Sequence, residues 1–209
     1  MTSYLVPLNE GLSEHTEKRS RFIGCVRPVE SEEAARALIA EKRAAYHDAR
    51  HNCWCYLLQE TGAERYSDDG EPQGTAGQPM LDVFRRAGVQ NVCCVVTRYF
   101  GGVLLGPGGL VRAYTKAAKD ALTAAGLGRA ALWTSLSVPC PYALFERVRL
   151  ELTACGGVAE AVDYGTEVTI RAALPQEQAE PFRARLTELS GGGIVPVRLE
   201  DAFRVLPDA

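Results

Sequence analysis

The chain of 209 residues lacks long hydrophobic runs, and no stretch approaches the roughly eighteen apolar residues of a membrane-spanning helix. The segment Met1–Leu5 shows no basic residues followed by an apolar stretch, so it predicts no secretory signal. The chain also lacks an excess of positive charge, because its formal net charge is −3. We therefore expect a cytoplasmic protein with no membrane partner, which could bind nucleic acid only through a local basic patch.

Metal-binding and disulfide patterns are also missing. The chain has seven cysteines, an odd number, and several of them lie in apolar strand patterns. Cys53 and Cys55 have the wrong spacing for a zinc knuckle, and Cys93-Cys94 lie in an apolar run. This usage predicts reduced, buried thiols, and we expect neither a metal nor a cofactor.

Glycine is concentrated in one part of the chain, which contains the segments 67–80 and 95–114. The second segment has an apolar strand, then a glycine-rich loop, then a helical pattern. The glycines of this loop are Gly101, Gly102, Gly106, Gly108 and Gly109. Neither GxxxxGK[ST] nor GxGxxG is present, so a nucleotide-specific site is not indicated. Two interpretations stay open: backbone amides that bind an anion at a helix start, or tight turns that let the loop pack against a sheet.

A basic stripe follows the glycine loop. Arg112, Lys116 and Lys119 have the spacing i, i+4 and i+7, so they share one face of the predicted helix. They could contact phosphates, or they could simply form a solvated helix face. Arg98, at the end of the preceding strand, either reaches solvent beside this stripe or pairs with an acidic residue. We favour the first alternative, in which Arg98 is free or weakly paired.

An acidic loop and two histidines complete the candidate residues. Asp68, Asp69 and Glu71 could bind a cation or act as acid and base, but a turn built by their side chains is favoured. They are also the candidate partners of Arg98. His47 and His51 are four residues apart, yet His51 falls at a helix-to-strand transition and no HExxH motif is present. A structural or surface role is therefore expected for both. We also expect the acidic loop and the glycine loop to be neighbours in space.

The periodicity of the chain predicts two α+β domains, 1–130 and 135–209, joined by a linker at 127–134. The first contains strands at 4–8, 21–26, 52–58 and 92–96, with a polar turn between the first two. Its helices begin after Ser31, after a capping box formed by Thr75 and Gln78, and at Gly108-Gly109. The second has the order βαββαβ, with a hairpin turn at Gly165-Thr166 and a last strand at 194–199; this order is typical of a ferredoxin-like domain.

Three motifs resemble those of the YigZ/IMPACT family: His47–His51, the run from Asp68 to Gly77 (DDGEPxGTAG), and the run from Arg98 to Tyr114 (RYFGGxxLGxGGLVRAY). The segment from Lys18 to Ile23 is also similar. The resemblance implies a two-layer α/β N-terminal domain like one in a small-subunit ribosomal protein. It also implies a C-terminal domain similar to those at the end of elongation factor G. Through the eukaryotic members, it implies a link to the regulation of translation.

The leading hypothesis is a non-enzymatic protein linked to translation that contacts RNA or a translation factor through the glycine-rich and basic surface. The alternative is an enzyme that acts on a phosphorylated small molecule or nucleotide. In that case the acidic loop would be the catalyst and the glycine loop would bind the phosphate. Steep salt dependence would favour RNA, because binding to a nucleic acid releases many counterions.

Overall fold

The computed structural model describes residues 3–207, which form ten strands and five α-helices. The strands are β1 (Ser3–Pro7), β2 (Gly11–Glu17), β3 (Ser20–Pro28), β4 (His51–Leu57), β5 (Glu64–Ser67), β6 (Val92–Tyr99), β7 (Leu127–Cys140), β8 (Val158–Tyr164), β9 (Val168–Pro175) and β10 (Val197–Pro207). The helices are α1 (Glu32–Ala45), α2 (Gly77–Ala87), α3 (Pro107–Ala125), α4 (Phe145–Ala154) and α5 (Ala179–Ser190). None of these helices is long and apolar enough to span a membrane. The chain divides into two compact units, one made mainly of residues 4–129 and the other of residues 130–204.

The N-terminal unit is built on an antiparallel sheet with the strand order β2-β3-β6-β4-β5. As predicted from its continuous apolar run, β6 is buried and central, and it pairs with both β3 and β4. Helices α2 and α3 pack on one face of the sheet, and α1 covers the other. The mixed α/β class is as predicted, and α1 adds a further layer.

Strand β2 was not predicted, because the sequence suggested only a polar turn before β3. The strand pairs with β3 along its whole length. Its inward positions are small or polar, since α3 lies very close to it: a Cβ atom at Gly11 would come 2.1 Å from the carbonyl oxygen of Ala121. A hydrophobic alternation is therefore absent from β2, although the strand is fully formed.

The C-terminal unit has the predicted order of elements: β7, α4, β8, β9, α5, β10. Its sheet has β9 between β7 and β8, and β10 pairs with β7, which is the ferredoxin-like arrangement. The core includes Leu152 of α4 and Phe182 of α5, both buried as the helical spacing predicted. The hairpin between β8 and β9 also lies where it was expected.

Two boundaries in this region differ from the prediction. The segment 127–134 is not a linker, because it forms the first part of β7 and includes the buried residues Ala130 and Trp133. Gly128, Arg129 and the two alanines that follow interrupt its apolar pattern, so the strand was not predicted. The last strand begins at Val197 rather than at Ile194, since the preceding residues follow a glycine-rich end of α5.

Candidate functional site

Arg98 forms a buried ion pair with Glu71 in the middle of the N-terminal unit. Its Nη1 atom lies 2.7 Å from Oε1 of Glu71, and the two residues are only 5% and 9% exposed. The Tyr114 hydroxyl donates to the same carboxylate oxygen over 2.8 Å. Burial raises the pKa of Tyr114, so its hydroxyl stays protonated and can donate. The prediction that Arg98 is free or weakly paired was therefore wrong, because Glu71 reaches the end of β6 from the acidic loop.

The same guanidinium connects the acidic loop to the glycine loop. Its Nη2 atom donates to Oγ of Ser20 over 3.2 Å, and the backbone amide of Gly101 donates to that oxygen over 3.3 Å. The guanidinium carbon also lies 5.5 Å from the ring centroids of both Phe22 and Phe100. The two loops are thus neighbours in space, as expected, and Arg98 supports both from inside.

Each carboxylate of the acidic loop is held by groups of the protein. Asp68 accepts hydrogen bonds from the backbone amides of Gly74, Ala76 and Gly77, at 2.8, 3.1 and 2.8 Å. It therefore caps α2, and the predicted Thr75–Gln78 capping box is wrong. Thr75 instead donates its hydroxyl proton to the carbonyl of Pro72.

Asp69 has a similar structural role. Its Oδ1 atom pairs with Arg43 at 2.7 Å, and its Oδ2 atom accepts from the backbone amide of Asn52 at 2.7 Å. Within residues 3–207, no cluster of His, Cys, Asp or Glu is arranged to hold a metal ion. These contacts favour the turn interpretation of the loop over a cation site or an acid–base pair.

The two histidines do not form a pair on a helix. His47 is exposed in the turn after α1, whereas His51 is buried at the start of β4, so the expected helix-to-strand transition is confirmed. His51 Nδ1 lies 2.9 Å from the carbonyl oxygen of Asp69, and its Nε2 lies 3.9 Å from Glu71. His51 is thus part of the packing around the acidic loop.

Four of the five glycines in the glycine loop have structural reasons to be glycine. A Cβ atom at Gly101 would lie 2.0 Å from the carbonyl oxygen of Arg19, so the loop approaches the β2–β3 turn very closely. Gly102 and Gly106 have φ values of 83° and 71°, and a Cβ atom at Gly109 would crowd Leu105. Gly108 has neither a positive φ nor a close contact, because a Cβ atom there would lie at an ordinary distance of 3.7 Å from the Arg112 guanidinium. The packing interpretation therefore accounts for most of the loop.

The basic stripe lies on the exposed face of α3, as predicted. Lys116 pairs with Asp120 on the same helix at 2.6 Å. Arg112 and Lys119, in contrast, form no ion pair with any residue that the structure describes. Arg86 at the end of α2 is likewise exposed and without an ionic partner among these residues, and it lines a shallow pocket together with Arg112 and Lys119.

A groove of about 730 Å³ runs between α2 and α3 beside these cations. Val83, Val111 and Leu122 supply apolar lining, and Arg86 and Lys119 also line it. Sequence reasoning missed Arg86 because it lies on a different helix. Helices α2 and α3 are consecutive helices of the chain, and because elements close in sequence are usually neighbours in space, this order was the signal that could have placed Arg86 beside the stripe.

Known proteins match both units. Residues 18–122 match the Impact N-terminal domain, and residues 138–192 match a domain of unknown function (DUF1949). The chain is 36% identical to the Escherichia coli protein described as IMPACT family member YigZ, over 96% of this chain and 100% of that protein. A solved structure titled as a hypothetical protein is 35% identical, with a TM-score of 0.61 over 96% of this chain and 98% of the other.

A eukaryotic relative matches about half of the chain. Mouse Protein IMPACT is 33% identical over 51% of this chain and 34% of its own length. The motifs from Asp68 to Gly77 and from Arg98 to Tyr114, which contain the ion pair and the glycine loop described above, fall within the matched N-terminal domain. By its two domain matches and its identity to a full-length relative, the chain belongs to the IMPACT family.

Proposed function

We propose that this protein is a non-enzymatic, cytoplasmic RNA-binding protein linked to translation, and that its N-terminal part, residues 1–130, contacts RNA through the face formed by α2 and α3. The link to translation rests on the family resemblance, since eukaryotic members regulate translation. The seven cysteines, all free and buried, suit a reducing compartment.

One observation carries the proposal: Arg86, Arg112 and Lys119 are exposed and line one shallow pocket, and none has an ionic partner among the described residues. Most other basic side chains of this unit are already paired, as Arg27 is with Glu41 and Arg85 with Glu64. In a chain with a net charge of −3, such a cluster is the kind of local patch that phosphate recognition requires. Arg98 is excluded from the patch because it is buried and neutralised by Glu71.

The enzymatic alternative receives less support. It needs a free acid or base next to the glycine loop, whereas Asp68, Asp69 and Glu71 all accept short hydrogen bonds from the protein itself. Burial raises the pKa of the nearby Cys53 thiol, which donates to the carbonyl oxygen of Asp68, so this thiol is a poor nucleophile.

The proposal is tested by measuring the affinity of the full chain for a fluorescent single-stranded RNA at several salt concentrations. Arg112→Gln and Lys119→Gln should each bind more weakly, with a salt dependence shallower by about one unit of log–log slope. Arg147→Gln is the matched control, because it removes an exposed cation from α4. A wild-type protein without measurable RNA affinity, or equal losses in all three variants, would refute the proposal. Partners that stay bound in lysate after nuclease treatment would instead assign this face to a protein.

A further inference from the structure

The turn between β2 and β3 holds two cationic residues in a strained backbone conformation. Glu17 and Ser20 are register partners, so Lys18 and Arg19 form a two-residue hairpin loop. Their φ values are 44° and 67°. Positive φ at both positions is typical of a type I′ turn, which strongly favours Asn-Gly. Long side chains with a Cβ atom are unfavourable there, and such strain is often found at functional sites.

The surroundings of this turn combine charge with exposed apolar groups. Lys18 and Arg19 are exposed, and neither forms an ion pair within residues 3–207. The glycine loop lies directly against them, since Gly101 touches the Arg19 backbone. This loop leaves Phe100 42% exposed and Leu104 82% exposed. A polyanion with apolar faces would complement this mixture of cations and an aromatic ring.

The turn also lies at the end of α3 where Arg112 is found. Along β2, Gly11 packs against Ala121 and Ala125, and Ser13 donates to the carbonyl of Ala117. The strand therefore runs towards the N-terminus of α3 as it approaches Lys18. From residue 119 to residue 107 the helix rises by about 18 Å. Along the axis of α3, the order is therefore Lys119, Arg112 and then the hairpin tip.

From this geometry we infer that the RNA site extends beyond α3 onto the hairpin tip and the glycine loop. Lys18 and Arg19 contact phosphates there, and the ring of Phe100 stacks on an unpaired base. This inference rests on the proposed function and makes it more specific, because it names single-stranded RNA as the ligand. It also gives the buried ion pair a role: Arg98 lies against the Phe100 ring and fixes its position.

The first test exchanges the strained turn for the sequence that the turn prefers. The double variant Lys18→Asn with Arg19→Gly removes both charges and relieves the backbone strain. We expect a higher melting temperature together with weaker RNA binding and a shallower salt dependence, by about one unit for each lost phosphate contact. A merely structural role would raise stability and leave affinity unchanged, and that result would overturn the inference.

The second test separates base stacking from charge. Phe100→Leu keeps an apolar side chain but removes the ring, so affinity for a single-stranded oligonucleotide should fall at least about fivefold. Affinity for an abasic strand of the same length should not change. Tyr66→Leu is the control, since Tyr66 is a similarly exposed aromatic residue, at 45%. If Phe100→Leu binds both strands as the wild type does, the inference is wrong.

The two proposals can fail separately. If Arg112→Gln weakens RNA binding but the hairpin and Phe100 variants do not, the α2–α3 face remains the site and the extension is rejected. If the wild type binds no RNA, the proposed function is lost and the extension with it. Attachment to anionic lipid vesicles that is abolished by Leu104→Ser would show that the tip contacts lipid, and would also overturn the inference.

Discussion

Replacing Glu71 with alanine should destabilise the N-terminal unit far more than the loss of any surface ion pair. Glu71 is the ionic partner of Arg98, and both side chains lie almost completely out of solvent, at 3% and 6% exposed. Without the carboxylate, a guanidinium stays buried without a counter-charge. The Tyr114 hydroxyl also loses its acceptor. Breaking a buried pair from one side typically costs about 3–5 kcal/mol. Because a domain is typically stable by about 5–15 kcal/mol, this is a large part of the total.

The assay is urea unfolding of the full chain, followed by the fluorescence of its two tryptophans and by circular dichroism. A double-mutant cycle with Arg98→Met tests whether the loss of stability comes from the Arg98–Glu71 pair. The variant carrying both changes should lose less stability than the sum of the single variants, because removing both charges leaves none buried alone. Glu14→Ala is the control, since it breaks the Arg21 pair in which both side chains are about half exposed. If Glu71→Ala unfolds no earlier than Glu14→Ala, or if the two changes are additive, the buried pair is not what holds the loops.

Two further predictions concern other parts of the N-terminal unit. Asp68→Ala should lower the free energy of unfolding by about 2 kcal/mol or more, because three backbone amides at or just before the start of α2 lose their acceptor. Hydrogen exchange at Gly74, Ala76 and Gly77 should become faster, and unchanged exchange would contradict the capping role. Hydrogen bonding from Arg27 lowers the pKa of Glu41 from 4.5 to about 2, so between these values the folded chain binds fewer protons than the unfolded chain, and stability falls as the pH drops. Arg27→Gln should reduce this acid-dependent loss in melting temperatures recorded from pH 7 to about 2. The control is Arg36→Gln, which removes an exposed arginine of α1 that is paired with Glu32 and should leave the pH profile unchanged.

The sequence predicted those features whose signal is local. Ser31 caps α1 through its hydroxyl, Gly88 ends α2 in a left-handed conformation, and the βαββαβ order follows from alternating periodicities. The predictions were wrong where contacts between residues that are distant in the sequence determine the local structure. Thr75 has the spacing of a cap, but the carboxylate of Asp68, seven residues earlier, takes that position. Strand β2 shows no hydrophobic alternation because its inner side is set by the closeness of α3.

In the candidate site, too, some features could be predicted from local sequence and others depend on tertiary contacts. Helical spacing predicted that Arg112, Lys116 and Lys119 share one face of α3, and all three are exposed in the structure. Helical spacing could not predict whether Arg98 is paired. Residues 68–71 include three possible acidic partners, and only the tertiary structure shows that the partner is Glu71. Lys18 and Arg19 carried no signal either, because a Lys-Arg pair is not a sequence that a type I′ turn favours.

The central place of β6 has a consequence for how this protein is made. Strand β6 pairs with β3, about seventy residues earlier, and with β4, about forty residues earlier, so the sheet cannot close until Tyr99 has been synthesised. Until then β3 and β4 both present unpaired edges and apolar faces, a state prone to misassociation in a growing chain. Contacts so distant in sequence also slow folding in general. Synthesis of this protein should therefore depend on protection of its first hundred residues, and slow translation just before β6 should lower the yield of folded chain more than a pause after α3.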